Sequence, residues 1–142
     1  MTVHAILESK GHQVVSVQPD VTVADAVKIL GEKRIGAILV MKGSSIEGIF
    51  SERDVVRVLA ERGASILQEP VSKVMTRKVV TCGRTETVSG LMEKMTQGKF
   101  RHLPVVEDGR VIGIISIGDI VKRRVMEYEK EQEALRDYIK TA

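Results

Sequence analysis

The apolar positions of this chain switch between two periods, and the switches mark its elements. Val3, Ile6 and Leu7 form a short apolar element closed by Lys10-Gly11, and Val14 to Val17 predicts a strand stopped by Gln18-Pro19-Asp20. Val23, Ala26, Val27 and Leu30 then recur at the i, i+3, i+4, i+7 spacing of one buried helix face, opened by Thr22. Ile35 to Met41 is continuously apolar, as a strand covered on both faces reads. A Gly43-Ser44-Ser45 turn leads into a returning strand, Ile46 to Phe50, and Ser51 opens a helix that stops at Gly63. Residues 64–70 read as a linker ending in Pro70.

The same order then begins again. Val71, Val74 and Met75 echo Val3, Ile6 and Leu7; Val79-Val80 predicts a strand, and Thr87 to Gln97 a helix with Val88, Leu91, Met92 and Met95 inward. Leu103 to Val106 is the buried strand, Glu107 to Arg110 the turn and Val111 to Ile115 the return. Residues 14–57 lie on 79–122 without a gap, with ten identities in 44 pairs, including Gly48, Ile49, Ser51 and Asp54. A strand–helix–strand–strand–helix unit is therefore duplicated in tandem.

The most informative repeated stretch is Gly48-Ile49-Phe50-Ser51-Glu52-Arg53-Asp54, which returns as Gly113-Ile114-Ile115-Ser116-Ile117-Gly118-Asp119. A serine at a strand-to-helix junction with an acid three residues on is a capping box. Thr22-Val23-Ala24-Asp25 is of the same kind, yet its equivalent, Thr87-Val88-Ser89-Gly90, has lost the acid, whereas both Ser-x-x-Asp pairs keep theirs. A helix N-terminus offers amide donors and partial positive charge that suit a phosphate, and a carboxylate one turn in suits the paired hydroxyls of a ribose. Together they describe a nucleotide more readily than a sugar or a bare anion.

The doubled pattern resembles the tandem CBS-domain pair, or Bateman module: the Val-Val strand, the Thr-Val helix start, Val74-Met75-Thr76, His102-Leu103-Pro104-Val105 and both Gly-h-h-Ser-x-x-Asp runs carry the likeness. The first copy departs from it at Ala37-Ile38-Leu39, where the family often has proline. The resemblance implies an α/β (α+β) fold of two β-α-β-β-α repeats about a pseudo-twofold axis: repeat one at 1–65, repeat two at 66–126, and a C-terminal helical extension at 127–142. It also implies two clefts, each joining the Ser-x-x-Asp of one copy to the early strands of the other. The first would hold Ser51, Arg53 and Asp54 facing Thr76, Val79, Phe100, Arg101, His102 and Pro104. There Asp54 would bind ribose, Val79 and Phe100 would flank adenine, and Ser51, Arg53, Thr76, Arg101 and His102 would surround phosphate. The second would hold Ser116, Gly118 and Asp119 facing Val14, Ile35, Gly36 and Ala37. Arg53 and Arg101-His102 correspond to Gly118 and Gly36-Ala37, so the first site is expected to bind anions more tightly.

The implied ligand is an adenosine nucleotide, AMP first, with ADP, ATP, NAD(H) and S-adenosylmethionine as the family's other ligands. The implied role is a sensor acting on an unknown protein partner, not an enzyme, with no catalytic cofactor and no metal. Composition changes this little. The content is globular, 43% hydrophobic and 29% charged, and the net charge of +3 suits a phosphate-bearing ligand or a solvated surface equally. Aromatic content of 3% argues against base-stacking nucleic-acid platforms. His4, His12 and His102 lack ligand spacing, and Cys82, the one cysteine, fits a reducing cytoplasm. No run is apolar enough for a membrane span, and no export signal is expected at the N-terminus. From Ile117 to Lys140, Val121, Val125, Tyr128, Gln132, Leu135 and Ile139 fall at alternating spacings of 4 and 3, which predicts a coiled-coil seam and a homodimer. Two other readings remain: a dimerising or nucleic-acid-associated module without a small ligand, and a nucleotide-processing phosphohydrolase.

Overall fold

A computed structural model describes residues 1–141; Ala142, the last residue of the expected extension, lies outside the described residues. The elements are α1 (Val3–Lys10), β1 (Ser16–Val17), α2 (Val23–Lys33), β2 (Ala37–Lys42), β3 (Ser45–Ser51), α3 (Glu52–Arg62), α4 (Val88–Gly98), β4 (His102–Glu107), β5 (Arg110–Ser116) and α5 (Ile117–Thr141). In the first repeat β1 runs parallel to β2, and β2 antiparallel to β3; in the second, β4 pairs antiparallel with β5. Both hairpins carry a bulge at the same place, between Val40 and Met41 and between Val105 and Val106, so the duplication extends to an irregularity. The second hairpin turns on Asp108-Gly109, both at positive φ, the conformation of a tight two-residue turn.

Each repeat is completed by the segment that precedes the other. Val71, Val74 and Met75 are buried in the first core with Val23, Ile38, Phe50 and Val58. Val3, Ile6 and Leu7 are buried in the second core with Leu91, Leu103, Ile115 and Ile120. The backbone repeats the exchange: Val23 N–H donates to Glu69 O and Val71 N–H to Val21 O, while Val88 N–H donates to Met1 O and Val3 N–H to Glu86 O. Gly48 is where this exchange needs a glycine. A methyl group there would stand 2.6 Å from Met75 Sδ and 2.8 Å from the Thr76 carbonyl oxygen. Its absence lets Thr76 exchange both backbone hydrogen bonds with Ile49, each 2.9 Å.

Three expectations change. Val79-Val80 forms no strand; in the second repeat the early strand survives as a single bridge, Cys82 to Val105, because the two valines turn toward the cleft described below. The first-copy strand likewise shortens from 14–17 to Ser16–Val17. The expected linker is instead a 3₁₀ turn, Ala64–Gln68, whose Ile66 is fully buried in the first core. The anchor is an isolated apolar pair, Ile66-Leu67, too short to show a period. The long helix is continuous over 25 residues, and its seam residues Val121, Val125, Tyr128, Leu135 and Ile139 are all at least half exposed. It therefore does not fold back to cover that seam.

The exchange makes a checkable demand on stability. Leu7, 65 residues or more from most of its neighbours, is fully buried. Leu7→Ala should lower unfolding stability by about 2–5 kcal/mol, read as a shifted urea midpoint at unchanged slope.

Candidate functional site

Ser51 ends β3 and caps α3, and here the capping box is complete. The Ser51 hydroxyl accepts from Asp54 N–H (3.3 Å), and the Asp54 carboxylate accepts from Ser51 N–H (2.9 Å). The same reciprocal pair closes α5: Asp119 N–H donates to Ser116 Oγ (3.1 Å) and Ser116 N–H to Asp119 Oδ2 (2.8 Å). At the Thr22 cap only the hydroxyl half is present, accepting from Asp25 N–H. Capping is thus one job of both repeated acids, but the surroundings of Asp54 show a second.

Asp54 is 7% exposed, the one buried charged residue among the described residues. Beyond its box, Oδ2 accepts from the Ser51 hydroxyl, and Oδ1 accepts from Thr76 Oγ1 and Arg57 Nη2, all at 3.1 Å. The carboxylate of one repeat is thereby tied to the segment leading into the other. These groups open into a cleft of about 490 Å³, inside the roughly 300–1,000 Å³ of small-molecule sites. Ser51, Arg53, Asp54, Thr76, Val79, Phe100, Arg101 and His102 all line it. Pro104 does not; it is buried in β4, its carbonyl accepting from Cys82 N–H.

The cleft has an apolar side and a cationic side. Ile49, Val79, Val80 and Phe100 supply aliphatic and aromatic wall, while Arg53, Lys78, Lys99 and Arg101 bring four cations against Glu52 and Asp54. Arg53 also donates to the Lys99 carbonyl (3.3 Å), fastening the N-terminus of α3 to the C-cap of α4. At that N-terminus Glu52 N–H is engaged by Gly36 O and Asp54 N–H by Ser51. Two of the first-turn amides are therefore already engaged within the protein. Lys78 and Lys99 were not legible as site residues. Lys99 sits at a left-handed helix end, φ 57, matching Arg34 at φ 53 in the first repeat, and that equivalence was the available signal.

His102 differs from the charged phosphate ligand expected. Burial holds its imidazole below the usual histidine range, with Lys10 and Arg101 acting in the same direction against the carboxylates of Glu52 and Asp119. It is neutral near pH 7 and offers an N–H rather than a charge. Gly36 packs on this ring, since a methyl group there would stand 3.0 Å from it, and so Gly36 lines the first cleft rather than a second one. The remaining second-site residues are spread out. Val14 lines a separate open groove with Ser16, Met41, Ser44, Arg110 and Val111; Ala37 is buried opposite Ser51, and Ile35 packs on the first core. Gly118 lies in the first turn of α5, and Asp119 is bound by Lys10, whose Nζ stands 2.7 Å from Oδ2.

The fold and this inter-repeat cleft define a tandem-repeat module of the CBS-domain type. The CBS domain family matches the chain twice, over residues 10–61 and 71–125, and the chain belongs to that family. It is 34% identical to the mitochondrial CBS domain-containing protein CBSX3 of Arabidopsis thaliana, over 97% of this chain and 71% of that one. Against larger CBS-domain proteins of the same plant it spans only about a fifth of their length, 20% and 21% for two of them. Among solved structures, a CBS-domain containing protein from Agrobacterium tumefaciens is 48% identical with TM-score 0.86, covering 87% of this chain and 99% of its own. A CBS domain protein from Pyrobaculum aerophilum complexed with AMP is 25% identical with TM-score 0.74, over 84% and 89%. The CBS domain pair of protein MJ0100, in complex with 5′-methylthioadenosine and S-adenosyl-L-methionine, is 25% identical with TM-score 0.79, over 89% and 98%.

The His102 environment carries a pH signature. The unfolded chain binds a proton that the folded chain refuses, so stability should rise with pH from the depressed folded pKa up to about 6.5 and then level off. His102→Gln should flatten that segment of the pH–stability profile, measured by urea unfolding at several pH values.

Proposed function

We propose that the chain is a regulatory module that binds an adenosine nucleotide, AMP first, in the cleft between its repeats and does not turn it over. The observation that carries this is the composition of one cleft: a buried carboxylate within reach of two hydroxyls, an apolar wall of Ile49, Val79, Val80 and Phe100, and four cations. Adenine lies between the aliphatic walls, and the ribose hydroxyls donate to Asp54 by replacing the Ser51 and Thr76 hydroxyls that it now accepts from. Exchange of one hydroxyl donor for another costs the acid little, because no buried acceptor is left unmade. The phosphate meets Arg53, Lys99 and Arg101, and charge-assisted bonds of this kind are the strong ones. ATP, ADP and NAD(H) use the same cations; S-adenosylmethionine, a ligand of one structural relative, brings no phosphate for them. AMP, a ligand of another, fits them better.

Ligand in this cleft touches both repeats at once, so it changes how they pack and alters contact with a protein partner. That role needs no chemistry at the bound nucleotide. No helix among the described residues is long and apolar enough to cross a membrane, and a reducing, cytoplasmic setting suits the one cysteine. Its thiol is buried and pushed up to about 12, chiefly by that burial and then by Glu86. The chain dimerises through the exposed seam of α5, whose apolar residues have no cover in a single copy.

Isothermal titration with AMP, ATP, NADH and S-adenosylmethionine tests the nucleotide. AMP should bind, and Asp54→Asn, which keeps the shape and removes the charge, should weaken it by about 10–100-fold, the usual worth of a hydrogen bond to a charged group. Four flat titrations would reject the nucleotide reading. For the dimer, Leu135→Glu should turn a two-chain mass into a one-chain mass in light scattering and remove the dependence of the thermal melt on chain concentration.

A further inference from the structure

The two repeats are not equally long where it matters. From the apolar lead element to the Val-Val pair is 11 residues in the first repeat (14 − 3) and 8 in the second (79 − 71). The three extra residues continue α1 as a full helix to Lys10, whereas its counterpart is only a 3₁₀ turn, Val71–Lys73. The extra turn delivers an ammonium to the place that Thr76 holds in the first cleft. Besides accepting from Ile49 N–H, Thr76 makes two donor contacts across the repeats, its N–H to Ile49 O (2.9 Å) and its hydroxyl to Asp54 Oδ1 (3.1 Å). Lys10 Nζ reaches the equivalent carbonyl, Ile114 O, and the equivalent carboxylate, at Asp119 Oδ2 rather than Oδ1, each at 2.7 Å.

The two substitutions differ in kind. A threonine hydroxyl yields to a ribose hydroxyl as like for like. An ammonium held by a carboxylate and a carbonyl does not, because its release strips the acid of its cation and offers only a neutral donor in exchange. The residues that could compensate are missing on this side: Arg53 is matched by Gly118, and Arg101 by Gly36, which is packed against His102. Being last in α1, Lys10 also favours the C-terminal end of that helix. A helix-end lysine needs no carbonyl and carboxylate more than 100 residues away to do so.

We propose that Lys10 is a built-in occupant of the second Ser-x-x-Asp site, so that the chain takes one anionic nucleotide, at the Asp54 cleft, and none at Asp119. This rests on the nucleotide reading above and goes beyond it by naming the residue that makes the module single-sited. Lys10 stands in for the ligand there, tying α1 to β5 and α5 as a nucleotide in the first cleft ties α3 to the second repeat.

The test is stoichiometry, by equilibrium dialysis with radiolabelled AMP carried to millimolar concentration on the full chain. The unaltered protein should bind one AMP per chain and Lys10→Ala two, with Lys10→Met, which keeps the aliphatic stem, doing the same. Adding Asp119→Asn to Lys10→Ala should return the count to one. One AMP per chain in both lysine variants, with melts unchanged, would overturn the proposal while leaving the nucleotide reading intact. Two per chain before any substitution, falling to one in Lys10→Ala, would also overturn it, with Lys10 then a phosphate ligand. No AMP bound by the unaltered protein would instead reject the nucleotide reading, and the proposal with it.

Discussion

The structure depends on an exchange of short apolar segments. Val71 to Met75 completes the first core and Val3 to Leu7 the second, so neither repeat owns all of its own interior. The conventional view of two beads on a string does not apply: loosening either lead segment opens a core and frees the neighbouring repeat together. The exchange also explains why a ligand at the junction would have leverage. Thr76 follows directly on the buried Met75, and its hydroxyl reaches Asp54 at the start of α3. Whatever occupies the cleft therefore pushes on a residue whose neighbour is locked in the core.

The repeated glycine and the repeated acid serve that exchange before they serve any ligand. Gly48 gives way to the passing backbone at Met75-Thr76, and Gly113 does the same for the Leu7 side chain. Asp54 and Asp119 close capping boxes, and each also accepts from a donor that the exchange brings in, Thr76 in one case and Lys10 in the other. A binding site built on such residues is preorganised at small extra cost, because the fold already holds the acid in place. Asp119 shows the balance. Burial alone would raise its pKa, yet hydrogen bonds from Lys10 and Ser116 keep it below the ordinary aspartate range. The charge stays on, as a cation partner requires.

What the sequence made legible follows from what duplication preserves. Helix faces, hairpins, caps and the family likeness all rest on residues kept at a constant offset, and eight of nine residues expected at the first site line one cleft. The misreadings fall where the offset breaks or where a residue's surroundings come from elsewhere in the chain. Val79-Val80 looks like a strand because β-branched pairs usually do, but its side chains are wanted in the cleft. Ile66 and Leu67 form an isolated apolar pair, with no period to mark either as core. Gly36 was assigned across the axis from where it lies, since only the packing against His102 shows which side it faces. Lys10 reads in the sequence only as the close of the first apolar element, because it falls in the three residues that have no counterpart.

That insertion bears on how a duplicated module loses its symmetry. Two identical halves would give two identical clefts, and one ligand could not bias their packing without the other. Here His102 lies between the halves, facing Glu52 of the first and Asp119 of the second, with Lys10 and Arg101 also acting on it. Gly36 closes against its ring because it carries no Cβ, and a cation at Lys10 helps to keep the ring neutral. The charge of the second acid is already paired with Lys10, so a phosphate bound beside Arg101 in the proposed way would change the field on one side of His102 only. With Lys10 in the second site as proposed, three extra residues would give the module a fixed half and a responsive half, which is what a sensor needs if filling one cleft is to be distinguishable from leaving it empty.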